Sequence, residues 1–547
     1  MAVTSPFPPS PPSVASDSMY LAAAIAGLLL FVWRWRSDPL RHVPGPTLAK
    51  WTPFWLMYYA RKGERYLAVH EAHKKYGPVV RISPWHVSFA SSEAPARVYA
   101  QGSAALDKSP FYRAFYVQGS ESLFSTQSRA LHSSKRRLLS QPFSYQSIRG
   151  FECFMRESLG RFVHRLDRIC AGDRFGDAVR PGNYIDVLLW FNYLAFDIIS
   201  DLAFGEPLGM VNKGSDLLPA ERKDGTVFEE HAAALIDQRG RTAAVVGLMP
   251  SIEEITKRLP IDFIAAGYKS TESLSRIATR CVKQRVESGV TRDDMLERLI
   301  EGLREKEGGT VSQEEVVTEA MLLLTAGADT TANSLTAILY YILLHRPVYE
   351  RIMAELATVN AGVAESDGTL PTLKHMDSKI ELETTIDSLP THDQVKSLPY
   401  LNAAIEEGLR MFATNAFGLP RVTGPAGFEL DGIVVPPGVE VSVPAYSIQR
   451  DPRIWGPDAE EYRPERWLDE GGGAMKKHML TFGSGPRACI GKNLAYFQMQ
   501  LALATSLLRY EFTLPPRTEL RSLEGFMHKP VELWVQIRRR GTQPMKT

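Results

Sequence analysis

Along most of this chain apolar residues recur three and four positions apart, the spacing of helices with one buried face. Alternating runs are few and short, with Val79-Val80-Arg81-Ile82 and Val439-Glu440-Val441-Ser442-Val443 the clearest. Between about 50 and 540 no polar, turn-rich stretch is long enough to separate two domains, and no repeat of solenoid period occurs. The pattern predicts one large, mainly α domain with small β-sheets. Ser312-Gln313-Glu314-Glu315 has the form of a capping box, in which the serine oxygen takes an orphan N–H and the glutamate reaches back. It opens a long apolar helix expected to run to about His345, just before Pro347.

The N-terminus follows a different pattern. Met19 to Trp33 is a nearly unbroken apolar run, followed by Arg34, Arg36 and Arg41. About fifteen helical residues span ~22 Å, which suits a thin bilayer such as that of the endoplasmic reticulum. A cleaved signal would carry basic residues before the run, but the leader, with Pro8-Pro9-Ser10-Pro11-Pro12, holds no Lys or Arg. The positive charges that follow predict a retained anchor with the C-terminal bulk in the cytosol. Pro44-Gly45-Pro46 is a stiff break after the basic collar. The expected division is a leader at 1–18, a transmembrane anchor at 19–36, a basic, proline-containing hinge at 37–50, the main domain at 51–540 and a tail at 541–547. Within the main domain, residues 360–390 are turn-rich and then acidic and form an expected surface insertion with no assigned function.

Composition narrows the classes. Of 547 residues, 23% are charged and 44% hydrophobic, a globular balance. A formal net charge of +1 excludes the strong basic excess of a nucleic-acid binder. The four cysteines, Cys153, Cys170, Cys281 and Cys489, form no C-x-x-C pair and no disulfide framework. They fit a reducing compartment in which a free thiol stays available as a metal ligand.

Cys489 lies in Phe482-Gly483-Ser484-Gly485-Pro486-Arg487-Ala488-Cys489-Ile490-Gly491. Glycines let backbone approach a flat, bulky group. Backbone N–H groups opening the following helix can hold a thiolate anionic. Arg487 offers a cationic fork for a carboxylate. Together these suit a sulfur ligand to an iron porphyrin bearing propionates, and a thiolate there favours O–O cleavage.

This string resembles the haem loop of the cytochromes P450, the haem-thiolate monooxygenases. The resemblance implies that fold, as a single large haem domain behind an N-terminal membrane anchor. It implies haem b with Cys489 as axial iron ligand and Phe482, Gly485, Arg487 and Gly491 around it. Ala326-Gly327-Ala328-Asp329-Thr330-Thr331, inside the long helix, reads as a local opening for a small ligand. It resembles the family's oxygen groove, where Thr330 would bond O2 or nearby waters and Asp329 would relay protons. Glu407-Gly408-Leu409-Arg410 puts an acid and an arginine on one helical face. With Arg466 of Tyr462-Arg463-Pro464-Glu465-Arg466-Trp467 they resemble the family's buried structural triad, Glu407, Arg410 and Arg466. By the same resemblance His132, Arg136, Arg421 and Arg487 would reach the propionates. The run around Arg136 has a plainer reading as solvated basic surface with Lys135 and Arg137. Gln449 stands where the family more often has His, with a small effect expected.

The chain shows no G-x-G-x-x-G, so electrons are expected from NADPH through a separate cytochrome P450 reductase. Lys476, Lys477 and Lys492 flank the cysteine loop as a candidate docking face for it. The expected partners are that reductase, the endoplasmic reticulum membrane and a small aromatic substrate. Trp190 to Asp197, Asp201 to Gly205, Phe417 to Arg421, Ser442 to Tyr446 and Ile454 to Ala459 are similar to the fungal benzoate 4-monooxygenases. That similarity implies para-hydroxylation of benzoate or a close aromatic acid, with a secondary-metabolite intermediate as the alternative substrate. A haem-thiolate isomerase or dehydratase and a non-catalytic haem protein are alternatives of another class; a proton relay at Asp329 and Thr330 argues against the first. The expected pocket is lined by residues near Phe111-Tyr112-Arg113, Leu322 to Thr331, Asn415 to Leu419 and Gly525-Phe526-Met527. Arg113, Tyr112 and Asn415 are the candidates to hold a substrate carboxylate.

Overall fold

A computed structural model describes residues 36–541 except 177, 223, 290–291, 293, 307–311 and 361–384, together with 19–20, 25 and 32–33. Most of the expected anchor and most of the insertion fall outside these residues. The elements that position the site are helices α1 (Arg129–Ser140), α2 (Val187–Phe204), α3 (Ala232–Val246), α4 (Gln313–Leu344), α5 (Pro399–Met411) and α6 (Lys492–Arg509). The strands are β1 (Val79–Ser83), β2 (His86–Phe89), β3 (Asp107–Lys108), β4 (Arg421–Val422), β5 (Glu440–Ser442), β6 (Ser522–Glu524) and β7 (His528–Pro530). Helices dominate, and the largest sheet has five strands.

α4 is the axis of the helical core, and it ends at Leu344, where the sequence pattern stops it. Its partner α2 is buried at every position but Leu189, which explains its unbroken apolar sequence. Among the described residues α2 is the helix long and apolar enough to cross a membrane, but 94% of it lies inside the protein, so it is a core helix. Asp186 caps α2 and ties it to the C-terminal segment: its Oδ1 accepts from Leu188 N–H at 3.1 Å and Leu533 N–H at 3.0 Å. α2 and α4 pack closely at Gly327, where a Cβ would come within 2.8 Å of Ile199. The glycine expected to open α4 toward a ligand does line the cavity, and it also lets two helices touch. α4 itself is continuous: Thr330 and Thr331 donate back to Ala326 and Gly327 carbonyls at 2.7 and 3.0 Å without breaking it.

Half of the expected capping box is present. Ser312 accepts from Glu315 N–H at 3.4 Å, but the Glu315 carboxylate turns to Lys135 of α1, 2.7 Å away. Lys135 also meets Glu319 at 2.9 Å, and Glu319 accepts from Leu123 N–H at 2.9 Å. A buried ammonium outcompetes the helix end for that carboxylate. Lys135 is therefore not part of a solvated basic run, whereas Arg137 is exposed.

The five-stranded sheet runs β1-β2-β5-β4-β3. β1 and β2 pair antiparallel, β5 joins β2 in parallel, and β4 and β3 follow antiparallel. Its last register sets Lys108 directly opposite Arg421. The Pro44-Gly45-Pro46 break is docked on this sheet: Arg81 N–H donates to Pro44 at 2.7 Å, and a Cβ on Gly45 would meet the Arg81 carbonyl at 2.3 Å. Leu40, Val43 and Ala49 are fully buried. The segment expected to be a hinge over 37–50 is thus largely part of the folded body. The end of the expected insertion is anchored too, since Arg156 donates to Ile386 and Leu389 carbonyls at 2.7 and 3.0 Å.

Candidate functional site

A cavity of about 540 Å³ lies between the cysteine loop and α4, with Cys489, Arg487, Phe482, Gly491, Thr330 and Asp329 all on its wall. The loop is closed by the Cys489 N–H donating to the Phe482 carbonyl at 2.8 Å, and α6 begins just beyond it. Arg136 of α1 clamps the loop from the side through Ala488 O at 2.8 Å. Cys489 has accessible surface although it lies deep in the fold, because it faces the cavity. Burial pushes its thiol pKa up; the Gly491 N–H, then Arg136 and Lys492, pull it down. The three opposing groups all favour an anionic sulfur. Gly485 has another task than the expected one. Its backbone is left-handed at φ +71°, and a Cβ would strike the Tyr99 carbonyl at 2.0 Å, away from the cavity.

One edge of the cavity is crowded with basic side chains. His132, Arg136, Arg487 and Lys108 line it, and Arg421 stands behind them in an adjoining small pocket with Arg487. Arg487 donates to the carbonyls of Thr126, Gln127 and Ser128 at 2.8, 3.2 and 3.3 Å. Arg421 donates to Tyr112 Oη at 3.3 Å and Pro420 O at 3.1 Å. Lys108 donates to Phe124 O and lies 4.1 Å from the centre of the Tyr112 ring. None of the five is ion-paired to a carboxylate of the described residues. The consequences show in their titration. Burial, then Arg421, brings Arg487 down to about 10. Burial, then Arg421 and Arg487, holds Lys108 well below its usual value. Burial, then Arg487 and Lys108, lowers His132 to about 3. Lys108 carries no signal in the sequence; only the β3–β4 register brings it here.

The opposite wall is α4. Thr330 donates to Ala326 O, so its lone pairs are left to accept a hydrogen bond in the cavity. Asp329 is buried and points to Lys529 of β7, whose Nζ is 3.9 Å from Asp329 Oδ1 and 2.5 Å from Asp237 Oδ1 of α3. Burial raises the Asp329 pKa, Lys529 lowers it and Asp237 raises it again. One ammonium shared by two carboxylates leaves a protonatable acid in the cavity wall.

The roof is aromatic: Phe115, Phe124 and Phe526 line it, with ring centres 4.5 Å apart for Phe115–Phe526 and 5.4 Å for Phe124–Phe526. Of the three residues expected to hold a substrate carboxylate, Asn415 lines the cavity. Tyr112 is fully buried and bonded to Arg421. Arg113 is exposed and lies 3.5 Å from Gln127. Neither of these two lines the cavity.

Beneath the loop, Glu407, Arg410 and Arg466 are fully buried together. Glu407 accepts from Arg410 at 2.8 and 2.9 Å, from Arg466 and the Arg463 N–H at 2.9 Å, and from Trp467 at 2.9 Å. Gln449 links this cluster to the loop, donating to Arg410 O at 2.9 Å and accepting from Leu480 N–H at 2.8 Å. A single amide does both because it carries donor and acceptor. On the surface, Lys477 and Lys492 are exposed, while Lys476 is held by Glu406 at 3.2 Å.

The arrangement fits the haem that the loop's motif implies. A cavity-facing sulfur backed by an N–H supplies a metal ligand, and an edge of uncompensated cations calls for the carboxylates of the same group. A family model described as Cytochrome P450 matches residues 43–536. Over 533 residues the chain is 37% identical to benzoate 4-monooxygenase bphA of Aspergillus niger, covering 95% of this chain and 97% of that protein. It is 29% identical over 531 residues to cytochrome P450 monooxygenase gsfF of Penicillium aethiopicum, covering 95% and 97%. It is also 29% identical to tryprostatin B 6-hydroxylase of Aspergillus fumigatus, covering 91% and 79%.

Proposed function

The chain belongs to the cytochrome P450 family, and from that premise we propose that it hydroxylates an aromatic acid, benzoate or a close relative, at the ring carbon para to the carboxyl group. The observation that carries this reading is the cavity itself, with a sulfur floor, an acid and a hydroxyl on the facing wall, and an aromatic roof. The 37% identity to a benzoate 4-monooxygenase supports the same substrate class.

In this reading Cys489 would hold the haem iron through its sulfur. His132, Arg136 and Arg487 would hold the propionates, and Arg421 would raise the positive potential from behind. Phe482, Gly485 and Gly491 shape the loop. When bound, a thiolate-ligated haem supplies activation of O2 and insertion of one oxygen atom. Asp329, kept protonatable by burial, holds the proton for that step and is resupplied along Lys529 and Asp237. Thr330 accepts a hydrogen bond at the site of delivery. Glu407, Arg410 and Arg466 fix the floor under the loop. NADPH-derived electrons arrive from a separate reductase at the face carrying Lys477 and Lys492, and the anchor at 19–36 holds the protein to the endoplasmic reticulum.

Spectral titration of the haem-loaded protein tests the substrate. Benzoate is expected to drive the low-to-high-spin change, and with reductase to yield the 4-hydroxy product. A response to larger metabolites and to no benzoate would replace the proposal with a secondary-metabolite role. Thr330→Ala is expected to divert at least half of the NADPH consumed into peroxide; coupling as tight as in the wild type would remove Thr330 from its assigned place.

A further inference from the structure

Above the cavity the cations differ in how they are neutralised. Lys529 is shared by Asp237 and Asp329, and Arg65 pairs with Glu524 at 3.1 Å, both fully buried. Arg239 of α3 has no such partner. It lines the cavity, as do Ile236 and Gly240, three positions before it and one after it. Its Nη2 donates to the Phe115 carbonyl at 3.1 Å, and its buried Nε meets no acceptor. Among the described residues no carboxylate pairs with it. Burial, acting alone, pulls its pKa down to about 10. A guanidinium so placed is costly to the empty fold, and it stays charged, so it favours an anion.

Its surroundings define the anion. The guanidinium carbon lies 5.7 Å from the centre of the Phe115 ring, and Phe115, Phe124 and Phe526 close around the adjoining space. Such rings take the edge or face of another aromatic ring. The nearest acid on the same helix, Asp237, is turned to Lys529 at 2.5 Å and so does not repel a carboxylate at Arg239. We propose that Arg239 is the anchor for the substrate carboxylate, gripping it with its planar fork while the Phe115–Phe124–Phe526 cage holds the ring. The inference rests on the aromatic-acid reading above and adds the residue that selects acids over neutral aromatics. It takes the place expected of Arg113, which lies on the outer surface.

The test pairs each acid with its methyl ester, which keeps shape and loses charge. The full-length, haem-loaded wild type, Arg239→Met and Arg239→Lys are titrated with benzoate and methyl benzoate, by spin-state change and by calorimetry. Arg239→Met is expected to weaken benzoate at least tenfold, to leave methyl benzoate within twofold, and to keep the carbon monoxide spectrum of the wild type. Arg239→Lys is expected to recover part of the loss. Equal weakening of acid and ester, as from a loosened Phe115 loop, overturns the anchor, and so does unchanged benzoate affinity. Should the wild type bind a larger aromatic acid and not benzoate, the substrate in the proposed function falls. The same pair of measurements on that acid and its ester then decides Arg239. A wild type that takes only esters overturns the anchor outright.

Discussion

Two buried clusters of arginines lie on either side of the cysteine loop, and they are built on opposite charge balances. In the first, Arg410 and Arg466 converge on Glu407, Asp458 Oδ2 lies 3.3 Å from Arg466 so that two acids meet two arginines, and the other nitrogens find backbone carbonyls, among them Gln449 O at 2.7 Å and Trp455 O at 2.9 Å. In the second, Lys108, His132, Arg136, Arg421 and Arg487 share one edge of the cavity with carbonyls and hydroxyls but no paired carboxylate. β-sheet register even sets Lys108 against Arg421, a cross-strand pairing of like charges that is destabilising by itself. A balanced buried cluster is complete and holds the fold. An unbalanced one has its missing charge supplied from outside the chain, here by the carboxylates of the proposed haem. The net charge of a buried set therefore separates scaffold from binding site where burial and residue type do not.

The comparison breaks most visibly if the balanced cluster is unbalanced. Glu407→Gln keeps the shape, leaves the buried Arg410 without a carboxylate and Arg466 with Asp458 alone, and is expected to cost about 3–5 kcal/mol. Urea unfolding of the haem-loaded protein measures it, and a loss under about 1 kcal/mol would mean that the cluster is not a unit.

The unbalanced cluster should respond in the reverse sense. The Lys108 pKa is held well below that of the unfolded chain, so its contribution is complete only above the unfolded value and is lost progressively as pH falls from there toward the folded value. Lys108→Met is thus expected to stabilise haem-free protein by about 1–2 kcal/mol while speeding haem loss to a scavenger several-fold. Destabilisation of both forms alike would show that Lys108 is an ordinary packing residue.

The smallest effect concerns pH. His132 is lowered to about 3, so the fold keeps it neutral while the unfolded chain takes a proton below about 6.5. Its contribution is present above pH ~6.5 and is lost as pH falls from there toward 3. In haem-free protein His132→Asn should flatten the acid limb of stability by less than about 1.4 kcal/mol per pH unit, the weight of one proton. A steeper acid limb in the variant would reverse the sign of the electrostatics assigned to this edge.

Much of the site was legible because its signals are local. Cys489, Arg487 and Gly491 sit within five residues, and His132 and Arg136 share a helix face at a fixed spacing. The long helix ends where its apolar pattern does. Other features were misread because one residue type serves two purposes. Gly485 fits a reading of open space for a ligand, yet it admits the Tyr99 carbonyl, and Gly327, which does line the cavity, also admits Ile199. Glu315 looks like a capping residue until Lys135 claims it. Arg113 follows two aromatic residues in the sequence while Arg239 has none nearby, and only the packing of α3 against the Phe115 segment shows which one meets the cavity.

By itself the sequence determined the helical class, the sulfur loop and the family, since periodicity and motif spacing act over a few residues at a time. The tertiary structure alone decided which cations stand opposite one another, which two acids share Lys529 and which arginines are left without a carboxylate. Charge compensation is a sum over groups distant in the chain, and that sum exists only once the chain has folded.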